Sequence, residues 1–478
     1  MTMSLMPPLM FGGLVLFMLI GFPVAFSLAA LGLTAGLFAI HFGYLTSAFF
    51  GNLPLNIFGI LSNDLLLAIP FFTFMGAILE RCGLAEDLLE GTGQLFGSVP
   101  GGLAYAVIIV GAILGAITGT VAASVIAMGL ISLPIMQRYG YDMKLATGVI
   151  AASGTITQLI PPSLVLVVLA DQMGRSVGDM YKGAIGPSIV QTFLFIAYIF
   201  AVSLLRPRWV PALPASARTL HGWPLIRRVL WGMVPSIVLI FLVLGTIFLG
   251  YATPTEAGAM GAVGAIGLAA MHHRLSWTLV RQGMESTMRI TAMVVFILIG
   301  SRTFSLVFLG VDGGVWIEHM LSSLPGGVVG FLVVVNLFVF FLAFFLDFFE
   351  IAFIIIPLLA PVAAKMGIDL IWFGVLLCVN MQTSFMHPPF GFALFYLRGI
   401  ASKEVKSSDI YLGAFPWVLL QVIMAVIVIF WPGLVTMWLD VEQKVDLDKV
   451  RIELPDDPSL RDPQPLDFGN SAPPPRAP

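Results

Sequence analysis

The stretch Ser153-Gly154-Thr155-Ile156-Thr157-Gln158-Leu159-Ile160-Pro161-Pro162-Ser163 interrupts an otherwise apolar run over residues 142–170. It has a counterpart in Asn380-Met381-Gln382-Thr383-Ser384-Phe385-Met386-His387-Pro388-Pro389, which interrupts the run 369–399. Two adjacent prolines remove two backbone donors and clash with the preceding turn, so a continuous helix cannot pass through either segment. Carbonyls upstream lose their partners, and Ser and Thr hydroxyls sit beside them. The surroundings of the two breaks repeat as well. Pro134, Gly140, Asp142 and Pro161-Pro162 recur as Pro361, Gly367, Asp369 and Pro388-Pro389, each displaced by 227 residues without a gap. Further on, Asp179, Tyr181, Gly183 and Ala184 recur as Asp409, Tyr411, Gly413 and Ala414, displaced by 230, and Pro23 matches Pro254 upstream. The chain is an internal duplication with a broken helix in each half.

Composition fixes the solvent. Of 478 residues, 59% are hydrophobic and 10% charged, with mean hydropathy +1.00. Soluble domains carry about 25% charged residues, so a water-facing surface cannot be built here. The apolar runs are long and continuous, which excludes a transmembrane β-barrel with its short alternating segments. A net charge of −3 gives no reason to expect nucleic acid. Cys82 and Cys378 have no motif spacing, against a disulfide framework or zinc site. The first apolar stretch lacks a basic leader and reads as a retained membrane helix rather than a cleaved signal. The fold class is therefore an all-α polytopic membrane protein.

A spanning helix needs about 20 apolar residues. Runs at 5–21, 22–40, 53–79, 142–170, 178–205, 229–250, 254–271, 290–309, 369–399 and 408–434 meet that length. Residues 101–137 and 327–366 are too short for two full spans each and carry polar or small residues at their centres. Both read as re-entrant hairpins, with tips at Thr118-Gly119-Thr120 and at Asp347. Such tips must be buried in protein or line a cavity. Basic clusters at Arg138/Lys144, Arg206–Arg228, His272–Arg281 and Arg398–Lys406 belong on the cytoplasmic side. Five crossings plus one hairpin per half satisfy this and make the repeats inverted. The expected organisation is a first repeat over 1–205, a basic cytoplasmic linker over 206–228, a second repeat over 229–434, and a polar, proline-rich, disordered tail over 435–478.

Inverted repeats with interrupted helices point to a secondary transporter. The residues suited to Na+ are hard oxygen donors beside unwound backbone. They form two clamshells: Thr118, Gly119, Thr120 and Ser124 against Ser153, Gly154, Thr155 and Thr157, and Asp347 against Gln382, Thr383 and Ser384. Pro161, Pro162, Pro388 and Pro389 make the breaks. The opposing half-helix N-termini favour an anionic group. Small residues at these places also serve close helix packing. Asp347 can ligate an ion, carry a proton, or cap the following half-helix. Glu256 suits N-terminal dipole stabilisation, and Arg302, alone in an apolar run, suits either an acidic partner or a second subunit. His387 can respond to pH or fill space. No phosphate-binding G-x4-G-K-[ST] loop or catalytic constellation occurs. Transport is then ion-coupled or passive, and the chain is not an enzyme.

The segments Ile69-Pro70-Phe71-Phe72, Thr118-Gly119-Thr120, Gly140-Tyr141-Asp142, Ala152-Ser153-Gly154-Thr155, Ile160-Pro161-Pro162-Ser163, Tyr251–Ala257, Phe345-Leu346-Asp347 and Pro388-Pro389-Phe390-Gly391 together resemble the large, DctM-like membrane subunit of TRAP (tripartite ATP-independent periplasmic) transporters. The resemblance covers residues 5–434. Leu79–Leu89 and Gln382–Leu397 are similar to the mannitol/chloroaromatic/2-oxo acid branch. It implies Na+-driven import of small organic acids (carboxylates) by an elevator motion in the bacterial inner membrane, with no cofactor beyond Na+ as coupling ion. It also implies two partners: a periplasmic substrate-binding protein and a small four-helix membrane subunit supplied as a separate chain. His387 departs from the Thr that many relatives carry, and the tail is no general family feature. The rival readings are a stand-alone ion-coupled carboxylate transporter or antiporter, and a polytopic membrane enzyme.

Overall fold

The computed structural model describes residues 3–219, 221–322, 324–388 and 391–439, leaving aside the side chains of residues 3, 18, 19, 117, 118 and 322. Pro389 and the tail beyond Leu439, with its expected disorder, lie outside the described residues. Among the described residues the chain is helical, without a strand.

The first half opens with α1 (Met6–Ile20) and α2 (Val24–His41). The expected span 53–79 is two helices, α3 (Asn52–Leu61) and α4 (Ala68–Arg81), and the chain bends by 47° between them. The Asn63 side chain accepts from Leu65 N at 3.0 Å, which starts the next turn on a new axis. A short amphipathic helix follows, α5 (Leu84–Leu95), which hydropathy had not marked. The first hairpin consists of α6 (Gly102–Thr118) and α7 (Val121–Arg138). Gly119 makes the turn between them at φ +59°, a conformation that costs glycine little. Then come α8 (Met143–Thr155), a 3-10 turn to Gln158, the break at 159–163, α9 (Leu164–Met173) and α10 (Val177–Leu205).

The second half begins earlier than expected. α11 (Trp223–Phe248) takes in Arg227 and Arg228, which composition had assigned to the linker. α12 (Pro254–Met271) opens with a Thr253/Glu256 capping box, as the dipole reading of Glu256 anticipated. α13 (Trp277–Gly310) runs 34 residues, starting well before the expected 290. Its polar first turns escape a hydropathy window. They are helical because Ser276 Oγ accepts from Leu279 N at 3.2 Å and Arg281 pairs with Glu285 four residues on. After α14 (Gly313–Ser322), the second hairpin is α15 (Gly327–Leu342) and α16 (Phe348–Lys365). The second broken helix is α17 (Leu370–Met381), a 3-10 turn to Phe385, and α18 (Phe392–Ile400). α19 (Ser407–Phe430) and a single turn, α20 (Gly433–Thr436), complete the compact unit. Leu434 and Val435 of that turn are buried, so the packed fold reaches Leu439 and not 434.

Seven of the described helices are long and apolar enough to cross a membrane, or eight if the bent pair counts as one span. They include the second hairpin arms, α7 and α16, at 18 residues each; the first arms, α6 and α15, have 17 and 16. The repeat is visible in the elements. α8 and α17 begin 227 residues apart, each behind an aspartate whose side chain caps it: Asp142 accepts from Lys144 N at 3.0 Å, and Asp369 from Trp372 N at 2.8 Å. Both helices are buried along nearly their whole length. A helix that is apolar on all faces belongs at the centre of a bundle. Here α8 packs against α6, α7 and α19, while α17 packs against α9, α10, α15 and α19. The two halves interleave; they do not sit side by side.

Candidate transport site

Four helices begin around one cavity of about 210 Å³. They are α7, with Thr120 at its N-cap; α9, behind Ser163; α16, behind Asp347; and α18, behind Gly391. Gly119, Thr120 and Val121 line it from the first hairpin tip, and Asp347, Phe348 and Phe349 from the second. Gln158, Leu164, Val165, Phe385, Phe392 and Tyr396 line it from the two breaks, and Ile290 and Met293 of α13 form a wall. The N-termini of α7, α9 and α18 carry no side-chain cap and present unsatisfied N–H groups with roughly half a positive charge each, whereas that of α16 is capped by Asp347. No Lys or Arg is among the lining residues. Positive potential here comes from backbone dipoles, opposed by the Asp347 carboxylate, in a largely apolar surround.

Asp347 is a cap. Its Oδ1 accepts from Glu350 N at 2.8 Å, and Glu350 Oε2 accepts from Asp347 N at 3.0 Å. The same carboxylate faces the cavity, so capping does not exhaust its chemistry.

The turns that follow α8 and α17 reach the cavity at Gln158 and Phe385, and at the C-terminal ends of these helices carbonyls run out of helical partners. The hydroxyls placed there turn back onto them. Ser153 Oγ donates to Ile150 O at 2.9 Å and Thr155 Oγ1 to Ala152 O at 3.0 Å. In the second half Thr383 Oγ1 donates to Asn380 O at 2.7 Å and Ser384 Oγ to Met381 O at 2.8 Å. Each hydroxyl thereby commits its proton, and its oxygen is left as an acceptor only. Among the described residues, several neighbouring side-chain polar atoms are buried with no protein hydrogen-bond partner: Thr157 Oγ1 and the side-chain amides of Gln158 and Gln382. Buried polar groups normally have partners, so these mark a place for a ligand, ion or water.

The tips and breaks named from sequence thus divide into two layers. Gly119, Thr120 and Asp347 reach the cavity; Ser124, Ser153, Thr155, Thr157, Gln382, Thr383 and Ser384 are buried in the packing beneath it. Gly154 lies against α7 at Val125. The Thr118 side chain lies outside the described residues. α6 approaches the first break through glycine: a Cβ on Gly111 would meet Ser153 Cβ at 2.6 Å, and one on Gly115 would meet Thr157 Cα at 2.8 Å. At the second break the contacts are aromatic. His387 stacks on Phe344 at 4.1 Å and meets the edge of Phe340 at 4.4 Å, and Phe348 lies 5.9 Å from Phe385.

Four residues were missed. Gln421 of α19 donates from Nε2 to Thr155 Oγ1 at 2.9 Å, and the buried side-chain amide of Gln191 on α10 has no protein partner among the described residues. The two glutamines are themselves 230 residues apart, the displacement of the Asp179/Asp409 block, so the repeat already paired them. Gln158 lies within the first break and lines the cavity. Tyr396 carries no sequence signal.

The family description "Tripartite ATP-independent periplasmic transporter, DctM component" matches residues 11–434. The C4-dicarboxylate TRAP transporter large permease protein DctM of Pseudomonas aeruginosa is 30% identical over 384 residues, 80% of this chain and 88% of that protein. The sialic acid TRAP transporter large permease protein SiaM of Vibrio cholerae is 26% identical, covering 86% of this chain and 93% of its own length. Among solved structures, the YdaH transporter of Alcanivorax borkumensis shares the fold with TM-score 0.57 at 16% identity, over 80% of this chain and 88% of that one.

Proposed function

The chain belongs to the DctM component family of tripartite ATP-independent periplasmic transporters, a multi-pass inner-membrane permease rather than an enzyme, and from that premise we propose that it imports small organic acids in symport with Na+. The observation that carries the reading is the convergence of four helix N-termini on one cavity without a basic side chain. A carboxylate suits that field. Two of the relatives are named for C4-dicarboxylate and for sialic acid, both carboxylates, and another for isethionate, a sulfonate. Na+ suits the acceptor-only hydroxyls and unpartnered amides at the ends of α8 and α17, since hard oxygen ligands around unwound backbone fit a hard cation.

A substrate-binding protein delivers the acid, and a small membrane subunit braces the outer helices. The two halves act as inverted repeats. The hairpins and broken helices move together against a frame that includes α13, in an elevator motion.

Uptake into proteoliposomes tests this. The vesicles hold this chain with its small membrane subunit, and the binding protein is added outside with a panel of labelled carboxylates, with or without an inward Na+ gradient. Uptake that requires both Na+ and the binding protein is expected. Uptake by this chain alone would establish a stand-alone carboxylate carrier. Uptake driven by a proton gradient and indifferent to Na+ would remove the ion assignments.

A further inference from the structure

A second cavity, of about 320 Å³, opens further along the helices that wall the first. Asp171 and Gln172 line it from the end of α9, Leu298 and Arg302 from α13, and Asn63 from the bend between α3 and α4. α9 meets the central cavity at Val165 and this one at Asp171; α13 meets them at Met293 and Arg302. At 1.5 Å per residue these positions are roughly 9 Å and 14 Å apart. α9 and α13 thus contribute residues to both cavities.

The charges in the outer cavity are not equivalent. The Asp171 carboxylate is already held, accepting from Asn63 Nδ2 at 2.6 Å and Gln172 Nε2 at 2.8 Å. Arg302 is exposed and, among the described residues, makes no ion pair or hydrogen bond. Its planar fork of donors matches a carboxylate. Arg281, at the start of α13, stands at the opposite end of that helix from Arg302. With that basic end in the cytoplasm, the Arg302 cavity is on the periplasmic side.

We propose that Arg302 is the carboxylate-binding residue of an outer vestibule, which takes the substrate's carboxylate before it reaches the central cavity. This rests on the carboxylate-import reading above.

The test uses the complete transporter in proteoliposomes. Arg302→Gln is expected to raise KM roughly tenfold or more, the effect of losing a charged hydrogen-bonded partner, with kcat changed less. Arg302→Lys retains part of the function. Arg302→Cys can be modified selectively, because Cys82 and Cys378 are buried. A trimethylammonium methanethiosulfonate reagent should then restore uptake, and a sulfonate one should not. Unchanged kinetics in Arg302→Gln would overturn the proposal. So would loss of the small subunit on purification of that variant, which would make Arg302 a subunit contact. A second arm needs no transport: phenylglyoxal modification of Arg302 in the wild-type complex, followed by peptide mass spectrometry. Succinate or pyruvate should slow it more than chloride at equal ionic strength, while Arg281 is unaffected. Equal slowing by all three would overturn the site; selective protection in a complex that imports no carboxylate would uphold it and overturn the import reading.

Discussion

Gln421 and Thr155 lie 266 residues apart, in different halves of the duplication, and are joined by a 2.9 Å hydrogen bond in a fully buried setting. The bond ties α19 to the end of α8, where the first break starts. It also leaves Gln421 Oε1 without a protein partner. The polar layer beneath the cavity is therefore assembled from both halves together.

Breaking that bond should be costly and coupled. Gln421→Ala is expected to destabilise by about 1–3 kcal/mol, because Thr155 loses a buried donor. Combined with Thr155→Val, the effects should be non-additive, with a coupling of about 0.5–3 kcal/mol. Thermal unfolding of the four proteins in detergent measures it; additive losses would mean the contact carries no energy.

Asp347 separates into a cap and a charge. Asn is as good an N-cap as Asp, whereas Ala loses about 1 kcal/mol. Asp347→Asn is thus expected to keep wild-type thermal stability while losing most Na+-dependent uptake. If Asp347→Asn transports normally, the carboxylate at the cavity is a cap and nothing more.

The glycines of α6 set how closely the first hairpin approaches the first break. Gly111→Ala and Gly115→Ala force a carbon to within 2.6 Å and 2.8 Å of Ser153 and Thr157 backbone or Cβ atoms. Overpacking of this kind costs about 1–3 kcal/mol, and uptake should fall with it. Gly267→Ala in α12 is the control, since nothing lies within 4 Å of its added carbon. It should be neutral or slightly stabilising through helix propensity. Paired melting and uptake assays decide.

The Arg228 pairs with Asp87 at 3.2 Å and Glu90 at 2.7 Å join α11 to α5 at the surface, with side chains 31–45% exposed. Exposed pairs of this kind contribute about 1 kcal/mol or less and are screened by salt. Arg228→Ala should therefore shift the melting temperature little, and less still in high salt. A large shift that persists in salt would show that the pair is a structural anchor of α5.

What the sequence by itself determined is whatever rests on local covalent and solvation constraints. Paired prolines at 161–162 and 388–389 forbid a continuous helix, so the breaks were readable residue by residue. Apolar runs without charges demand a bilayer, and aspartates at 142 and 369 announce the helix starts behind them. The constant displacement of 227 aligned the two broken helices before any coordinates. Hydropathy failed where polarity and helicity part company: in the first turns of α13, in α5, and at the start of α11, where capping and ion pairs sustain helix in water-facing sequence. Only the tertiary structure decided which residues meet. That four N-termini ring one cavity, that Gln421 reaches Thr155, and that α13 walls both cavities depend on how two halves interleave through buried small residues. Such packing is set by shape over hundreds of residues, and neither periodicity nor composition records it.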